Sequence, residues 1–125
     1  METLTMETMD TTDPTAPATG VVLALTTEAD EEKAETLAHA LLKRQLVACV
    51  SLRPVRSLYR WQGRIEDGTE VELLLKTTPV QLPALKAAVH ELHSYDTPEW
   101  LCWLAEASTP YAAWAWEATR SLSEP

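Results

Sequence analysis

The segment Ser57 to Thr77, SLYRWQGRIEDGTEVELLLKT, constrains the fold of this chain more than any other part of the sequence. It predicts two antiparallel strands, because Gln62-Gly63 and Asp67-Gly68 supply turn residues and Val71 to Leu75 is a strand-length apolar run. Large apolar side chains occupy both alternations of that run, so both faces of the sheet are expected to be covered. A short chain with such a sheet is expected to associate with other copies of itself.

Length and charge limit the other partners. The chain has 125 residues and a formal net charge of −9, which fits one domain and disfavours a phosphate backbone as ligand. We therefore expect no nucleic-acid partner. The sequence has neither an apolar run long enough for a membrane span nor a signal-like start, so no membrane partner is expected and the cytoplasm is the predicted location. Cys49 and Cys102 are too few for a disulfide framework and are predicted to be free thiols.

The first 19 residues differ in composition from the rest. They are rich in Thr, Met and Pro, carry acidic residues and contain no basic residue. Such a segment buries too little apolar surface to order itself, so residues 1–19 are predicted to be a disordered acidic tail. Residues 20–125 are predicted to form a single domain.

The periodicity of the domain alternates between strand and helix. A strand at Val21–Thr26 precedes a helix that runs to about Gln45, with Thr27 and Asp30 in capping-box-like spacing. Pro54 indicates an edge or bulge position in the second strand, and Pro79 and Pro83 open a second helix. The fourth strand is predicted at Trp100–Glu106, and a closing helix is capped at Thr109.

This order predicts a ferredoxin-like α+β fold: two split βαβ halves form a four-stranded antiparallel sheet with both main helices on one face, plus a C-terminal helix. The second face is also predicted to be apolar. We place Val22, Ala24, Leu74, Leu101 and Trp103 on one alternation, opposite to Val21, Leu23, Leu25, Val71, Leu73 and Leu75. A monomer would expose one of these faces, which favours an oligomer.

Several strings of the sequence resemble one family. LVACVSL, SLYRWQGRIE, EVELLLKT and LHSYDTPEW, followed by Tyr111 and Trp114 in the closing helix, resemble the CutA-type divalent-cation tolerance proteins over about residues 21–122. The resemblance implies a ferredoxin-like homotrimer, similar in architecture to the PII signal-transduction proteins, and a role in tolerance of copper and other divalent metals. Where that family typically has His-Pro-Tyr, this chain has His93-Ser94-Tyr95.

The resemblance also implies candidate metal ligands. Cys49, His93 and Glu99 match family positions nearest a metal site, and a thiolate, an imidazole and a carboxylate suit Cu or Zn. Some members have a further Cys and a second His where this chain has Thr26 and Leu92. The expected divalent metal is therefore bound weakly, is not required for folding, and needs ligands from a second subunit.

Other residues are candidates for a cleft or a subunit interface, namely Tyr59, Trp61, Lys76, Tyr95 and Trp114. Aromatic residues suit both packing and ligand contact, and Lys76 suits an anion. The sequence contains no nucleophile, metalloprotease or phosphate-loop motif, so no enzymatic activity is expected. Three hypotheses remain: a trimeric metal-tolerance protein, a PII-like sensor of a small ligand, and a structural trimer that anchors another protein.

Overall fold

The computed structural model describes residues 20–120. The predicted tail at residues 1–19 and the predicted helix residue Leu122 lie outside the described residues. The proposed boundary at residue 19 therefore stays a prediction.

The described residues form a four-stranded antiparallel sheet with three helices. The strand order across the sheet is β2-β3-β1-β4. The elements in chain order are β1 (Gly20–Glu28), α1 (Glu31–Lys43), β2 (Cys49–Trp61), β3 (Arg64–Thr77), α2 (Leu82–Leu92), β4 (Leu101–Glu106) and α3 (Thr109–Thr119). This order confirms the predicted ferredoxin-like arrangement with a C-terminal helix.

The helices begin at capping residues close to the predicted positions. The Asp30 side chain accepts a hydrogen bond from the Lys33 amide at 2.8 Å and caps α1. Ser108 caps α3 in the same way, one residue before the predicted cap at Thr109. The predicted capping role of Thr27 is wrong, because Thr27 is still paired within β1.

The hairpin of β2 and β3 is longer than expected. Its turn lies at Gln62 and Gly63, whose φ values of 51° and 76° suit a two-residue hairpin turn. The second predicted turn, at Asp67-Gly68, is wrong, because both residues pair with β2 in the ladder. Strand β2 is an edge strand of the sheet, which confirms the edge position predicted from Pro54.

The main core lies between the sheet and helices α1 and α2. Leu73 and Leu75 of β3 are fully buried against α1 and α2. The other buried members of this core are Ala24, Ala34, Leu37, Ala38, Leu41, Val47, Val71, Leu85, Ala88 and Val89. This core fills the face of the sheet that the two helices cover. Functional residues are therefore expected at the strand ends, in the loops and on the opposite face.

The opposite face of the sheet is apolar and only partly covered. Residues directly paired across antiparallel strands project from the same face, so Leu25 shares a face with Leu74 and Leu101. The predicted grouping of β1 was therefore reversed: Val21, Leu23 and Leu25 belong to this face, and Val22 and Ala24 belong to the core face. Helix α3 covers one end of the face through Ala112 and Ala115, which pack against Val21.

The uncovered part of this face is named here the second-face patch and includes Leu101 and Trp103. Their exposed fractions are 51% and 45%. The patch confirms the predicted apolar second face, and the oligomer that would cover it stays a prediction.

Candidate functional site

A cavity of about 680 Å³ lies between the turn end of the β2–β3 hairpin and the loop that follows α2. We call it the hairpin cavity. It is lined by Thr27, Ser57, Leu58, Tyr59, Trp61, Glu70, Tyr95, Asp96, Thr97 and Glu99. Three of the predicted cleft residues, Tyr59, Trp61 and Tyr95, therefore line one cavity, together with the predicted metal ligand Glu99.

Glu70 is held in a fixed orientation on the cavity wall. The Tyr95 hydroxyl donates to Glu70 Oε2 at 2.9 Å, and the Ser57 hydroxyl donates to Glu70 Oε1 at 2.8 Å. Burial of the Tyr95 side chain raises its pKa, and the hydrogen bond to Glu70 raises the pKa further. Tyr95 therefore stays protonated at neutral pH and continues to donate this hydrogen bond.

His93 anchors the loop that carries Tyr95. Its side chain is fully buried, and its Nε2 lies 2.6 Å from the carbonyl oxygen of Thr27. The Tyr95 amide donates to His93 Nδ1 at 3.0 Å. Because a carbonyl only accepts and an amide N–H only donates, these partners assign the neutral tautomer with the proton on Nε2. Both ring nitrogens are thus used within the chain, and His93 positions the cavity loop.

A buried carboxylate lies directly behind this loop. Glu28 is only 1% exposed and accepts hydrogen bonds from the Ser94 amide at 3.0 Å and from the Ser94 hydroxyl. The Ala29 amide lies 3.3 Å from Glu28 Oε1, and His93 Nδ1 lies 3.5 Å from Glu28 Oε2. A buried carboxylate requires such donors, so Glu28 ties the end of β1 to the cavity loop.

The hairpin cavity is acidic and aromatic. Its lining includes the carboxylates of Glu70, Asp96 and Glu99, and none of the described residues that line it is a lysine, arginine or histidine. Trp61 and Tyr59 expose 57% and 48% of their surface in the single chain. The Trp61 side chain is therefore not part of the core of the single chain, and its role at a subunit interface stays a prediction. The side chain forms part of the cavity wall.

Cys49 and Lys76 lie near the opposite end of the hairpin. They are paired residues, and Lys76 Nζ lies 3.6 Å from Cys49 Sγ and 2.5 Å from Ser51 Oγ. Lys76 also pairs with Leu23, four residues before Thr27 in β1. At the rise of an extended strand these four residues span about 13 Å. Lys76 therefore does not line the hairpin cavity. Its ammonium group instead contacts Cys49 and Ser51 of the neighbouring strand β2.

Trp114 is also separate from the cavity. It lies on α3 with an exposed fraction of 48%, and its ring centroid is 5.5 Å from that of Tyr111. Helix α3 buries Ala112 and Ala115 and leaves Tyr111 and Trp114 exposed in the single chain, so the interface role of Trp114 stays a prediction. The two rings add exposed aromatic surface on α3.

The predicted metal ligands do not come together within one chain. Across residues 20–120 no group of three or more His, Cys, Asp or Glu side chains is arranged to hold a metal ion. Glu99 lines the hairpin cavity, His93 is buried behind it, and Cys49 lies toward the other end of the sheet. A site with these three ligands stays a prediction, and it requires a second subunit.

Sequence reasoning missed Glu28, Ser57, Glu70 and Asp96 as site residues. The hairpin turn at Gln62-Gly63 was the signal for Ser57 and Glu70, because it fixes the register of the ladder and places both on one face. No comparable signal in the sequence identified Glu28, whose partner Ser94 is 66 residues away.

Among the helices of the described residues, none is long and apolar enough to cross a membrane.

Known proteins resemble this chain over most of its length. A divalent-cation tolerance protein CutA from Thermus thermophilus is 41% identical over 99 residues, which cover 78% of this chain and 96% of that protein. The CutA1 structure from Pyrococcus horikoshii superposes with a TM-score of 0.78 at 36% identity, covering 80% of this chain and 99% of that one. A structure described as the periplasmic divalent cation tolerance protein CutA from Archaeoglobus fulgidus gives a TM-score of 0.77 at 30% identity, with 80% and 99% coverage.

The family model of the CutA1 divalent ion tolerance protein matches residues 22–118, which include the whole hairpin, the cavity loop and most of α3. With this match and the relatives above, the chain belongs to the CutA1 divalent ion tolerance family.

Proposed function

We propose that this chain acts in divalent-cation tolerance as a cytoplasmic homotrimer that binds Cu or Zn weakly at or near the clefts between subunits. The observation that carries the proposal is membership of the CutA1 family over residues 22–118. We also propose that the protein works by binding and not by catalysis, in line with the description of its family as a tolerance protein. No bound metal is required for the fold in this proposal, because the main core between the sheet and helices α1 and α2 is an apolar cluster.

The second-face patch favours self-association. Leu101 and Trp103 expose about half of their surface in the single chain, and the rings of Tyr111 and Trp114 on α3 are also exposed. Burial of apolar surface contributes about 25 cal/mol per Å², so covering this face with another copy is favourable. A homotrimer formed through this face would also bring residues of one chain close to those of another.

Self-association supplies what a metal site lacks in one chain. Cys49 is half-buried and Glu99 is exposed, so each could bind a metal ion that is also bound by a side chain of a neighbouring subunit. His93 would have to give up its hydrogen bond with the Tyr95 amide before Nδ1 could bind a metal. That loss, together with the incomplete set of ligands, accounts for the weak affinity that we propose.

The cytoplasmic location is proposed from the thiols. Cys49 and Cys102 are both free, as is usual for cysteines in a reducing compartment. This location differs from the periplasm, which is the location given for the Archaeoglobus relative. Cell fractionation with an antibody to the native protein measures it, and recovery in a membrane-enclosed extracytoplasmic fraction would contradict it.

Equilibrium dialysis of the purified protein against Zn²⁺ under anaerobic conditions tests the metal proposal. We expect Cys49→Ser and Glu99→Gln each to weaken binding, and we expect Glu35→Gln on the exposed face of α1 to leave it unchanged. Affinity should also fall as the pH is lowered, because thiol and imidazole ligands must lose their protons to bind. Identical binding by all four proteins would refute a role for Cys49 and Glu99.

A further inference from the structure

The lining of the hairpin cavity combines two kinds of side chain that bind cations in different ways. Glu70, Asp96 and Glu99 supply negative charge, and the rings of Tyr59, Trp61 and Tyr95 supply aromatic surface. Aromatic faces attract organic cations such as ammonium groups, most strongly when the ring is a tryptophan. Aromatic rings do not serve as ligands for Zn²⁺ or Cu²⁺, which take nitrogen, sulfur and oxygen donors.

The arrangement of the carboxylates also disfavours a single metal ion. Glu70, Asp96 and Glu99 line one cavity, but in the described residues they are not grouped closely enough to hold one ion. Both oxygens of Glu70 already accept hydrogen bonds from Ser57 and Tyr95. Carboxylates that are spread over a cavity wall suit a ligand with several separated positive charges.

The size of the cavity fits a small organic ligand. Its volume of about 680 Å³ lies within the range of roughly 300 to 1,000 Å³ that is typical of small-molecule sites. Leu58 adds apolar surface to the wall, against which an aliphatic chain can lie. Among the described residues the lining contains no basic side chain, and the guanidinium of Arg64, which pairs with Trp61, lies 3.3 Å from a carboxylate oxygen of Glu66.

From these observations we propose that the hairpin cavity binds an aliphatic polyamine. Its ammonium groups would lie against Asp96, Glu99 and the face of Trp61, and its methylene chain would lie along the ring of Tyr59. Glu70 would remain bound to Tyr95 and Ser57 and would contribute its charge from the wall. This inference shares Glu99 with the proposed metal site, but a polyamine and a metal ion are titrated separately, so each proposal can fail without the other.

Calorimetric titration of the full-length assembled chain with spermidine tests the proposal. Ser57, Tyr59 and Trp61 project from the same face of the sheet as the second-face patch, so the mass of each variant is first measured by light scattering. The variants are Trp61→Leu, which removes the aromatic face, and Asp96→Asn, which removes one charge. Glu35→Gln has the same change in charge at an exposed residue of α1 that does not line the cavity.

We expect spermidine to bind the parent protein and Glu35→Gln equally. Trp61→Leu should raise the dissociation constant by about 2- to 30-fold, the range for loss of a cation–π contact. Asp96→Asn should raise it by up to about fivefold, as for an exposed ion pair. Putrescine should bind, and its uncharged analogue 1,4-butanediol should not.

Three results would overturn the proposal. Spermidine that fails to bind the parent at millimolar concentration would exclude the site. Equal binding by all the variants would show attraction to the overall negative charge and not to this cavity. If Mg²⁺ displaces spermidine at equal ionic strength and Trp61→Leu has no effect, the binding is likewise due to the overall negative charge of the protein. If Trp61→Leu changes the assembly, Asp96→Asn and the diol comparison still decide the outcome.

Discussion

Ser94 provides the sharpest test of how the cavity loop is held. Its amide and its hydroxyl both donate to the buried carboxylate of Glu28. A hydrogen bond to a charged group contributes about 1.5–3 kcal/mol. Ser94→Ala removes the hydroxyl donor and keeps the amide donor, so it should lower the free energy of unfolding by about 1.5–3 kcal/mol.

Ser94→Pro separates the second hydrogen bond from the first. This change gives the His-Pro-Tyr string that is typical of the CutA family. It removes the backbone amide donor of residue 94 as well as the hydroxyl donor. His93 already has φ −69° and ψ 148°, a conformation that a following proline accepts, so backbone strain at His93 adds little to the cost. Loss of two hydrogen bonds predicts about 3–6 kcal/mol, reduced by about 0.4–1 kcal/mol because proline restricts the unfolded chain.

Urea denaturation followed by circular dichroism, at one protein concentration for all variants, measures these differences. Ser108→Ala is the matched control, since Ser108 caps α3 through an exposed hydrogen bond of 3.3 Å to the Tyr111 amide. Loss of such a cap costs about 1 kcal/mol. The reasoning would be refuted if Ser94→Ala cost no more than Ser108→Ala, or if Ser94→Pro cost no more than Ser94→Ala.

Two further predictions concern Tyr95 and the second-face patch. The pKa of Tyr95 is raised by burial and by Glu70, so its contribution to stability is complete below the ordinary tyrosine pKa of 10.0 and is lost as the pH rises above it. Burial also raises the pKa of Tyr111, which is present in both the parent and Tyr95→Phe. The measurement is therefore the free energy of unfolding of both proteins as a function of pH. Above that pH this free energy should fall less steeply for Tyr95→Phe than for the parent. Trp103→Glu should lower the mass measured by light scattering, because it places a charge in the patch, whereas Val80→Glu, also at an exposed apolar residue, should not. An unchanged mass for Trp103→Glu would contradict the proposal that the second-face patch is a subunit interface.

The fold could be predicted from local patterns. Alternating apolar residues, proline positions and the Gln62-Gly63 turn gave the order of strands and helices and the edge position of β2. These features act over a few residues, so the sequence displays them directly. The turn at Asp67-Gly68 was wrong because a second turn would have ended a strand whose pairing with β2 continues through both residues.

The faces of β1 could not be assigned from the sequence. Val21 to Leu25 is apolar on both alternations, so periodicity alone does not distinguish the core face from the second face. The assignment follows from the register, which pairs Leu23 with Lys76 and with Trp103. Register is a property of the assembled sheet, and a shift of one residue would reverse every face.

The sequence by itself determined the family-like strings, the secondary structure and the presence of an apolar second face, because each of these depends on residues that are close together in the chain. Only the tertiary structure decided what the polar residues do. It directed His93 inward to Thr27 and Tyr95, paired Ser94 with Glu28, and placed Cys49 far from Glu99. The contacts of His93 with Thr27 and of Ser94 with Glu28 join residues 66 positions apart, and their distances are set by how the loop after α2 packs against the end of β1.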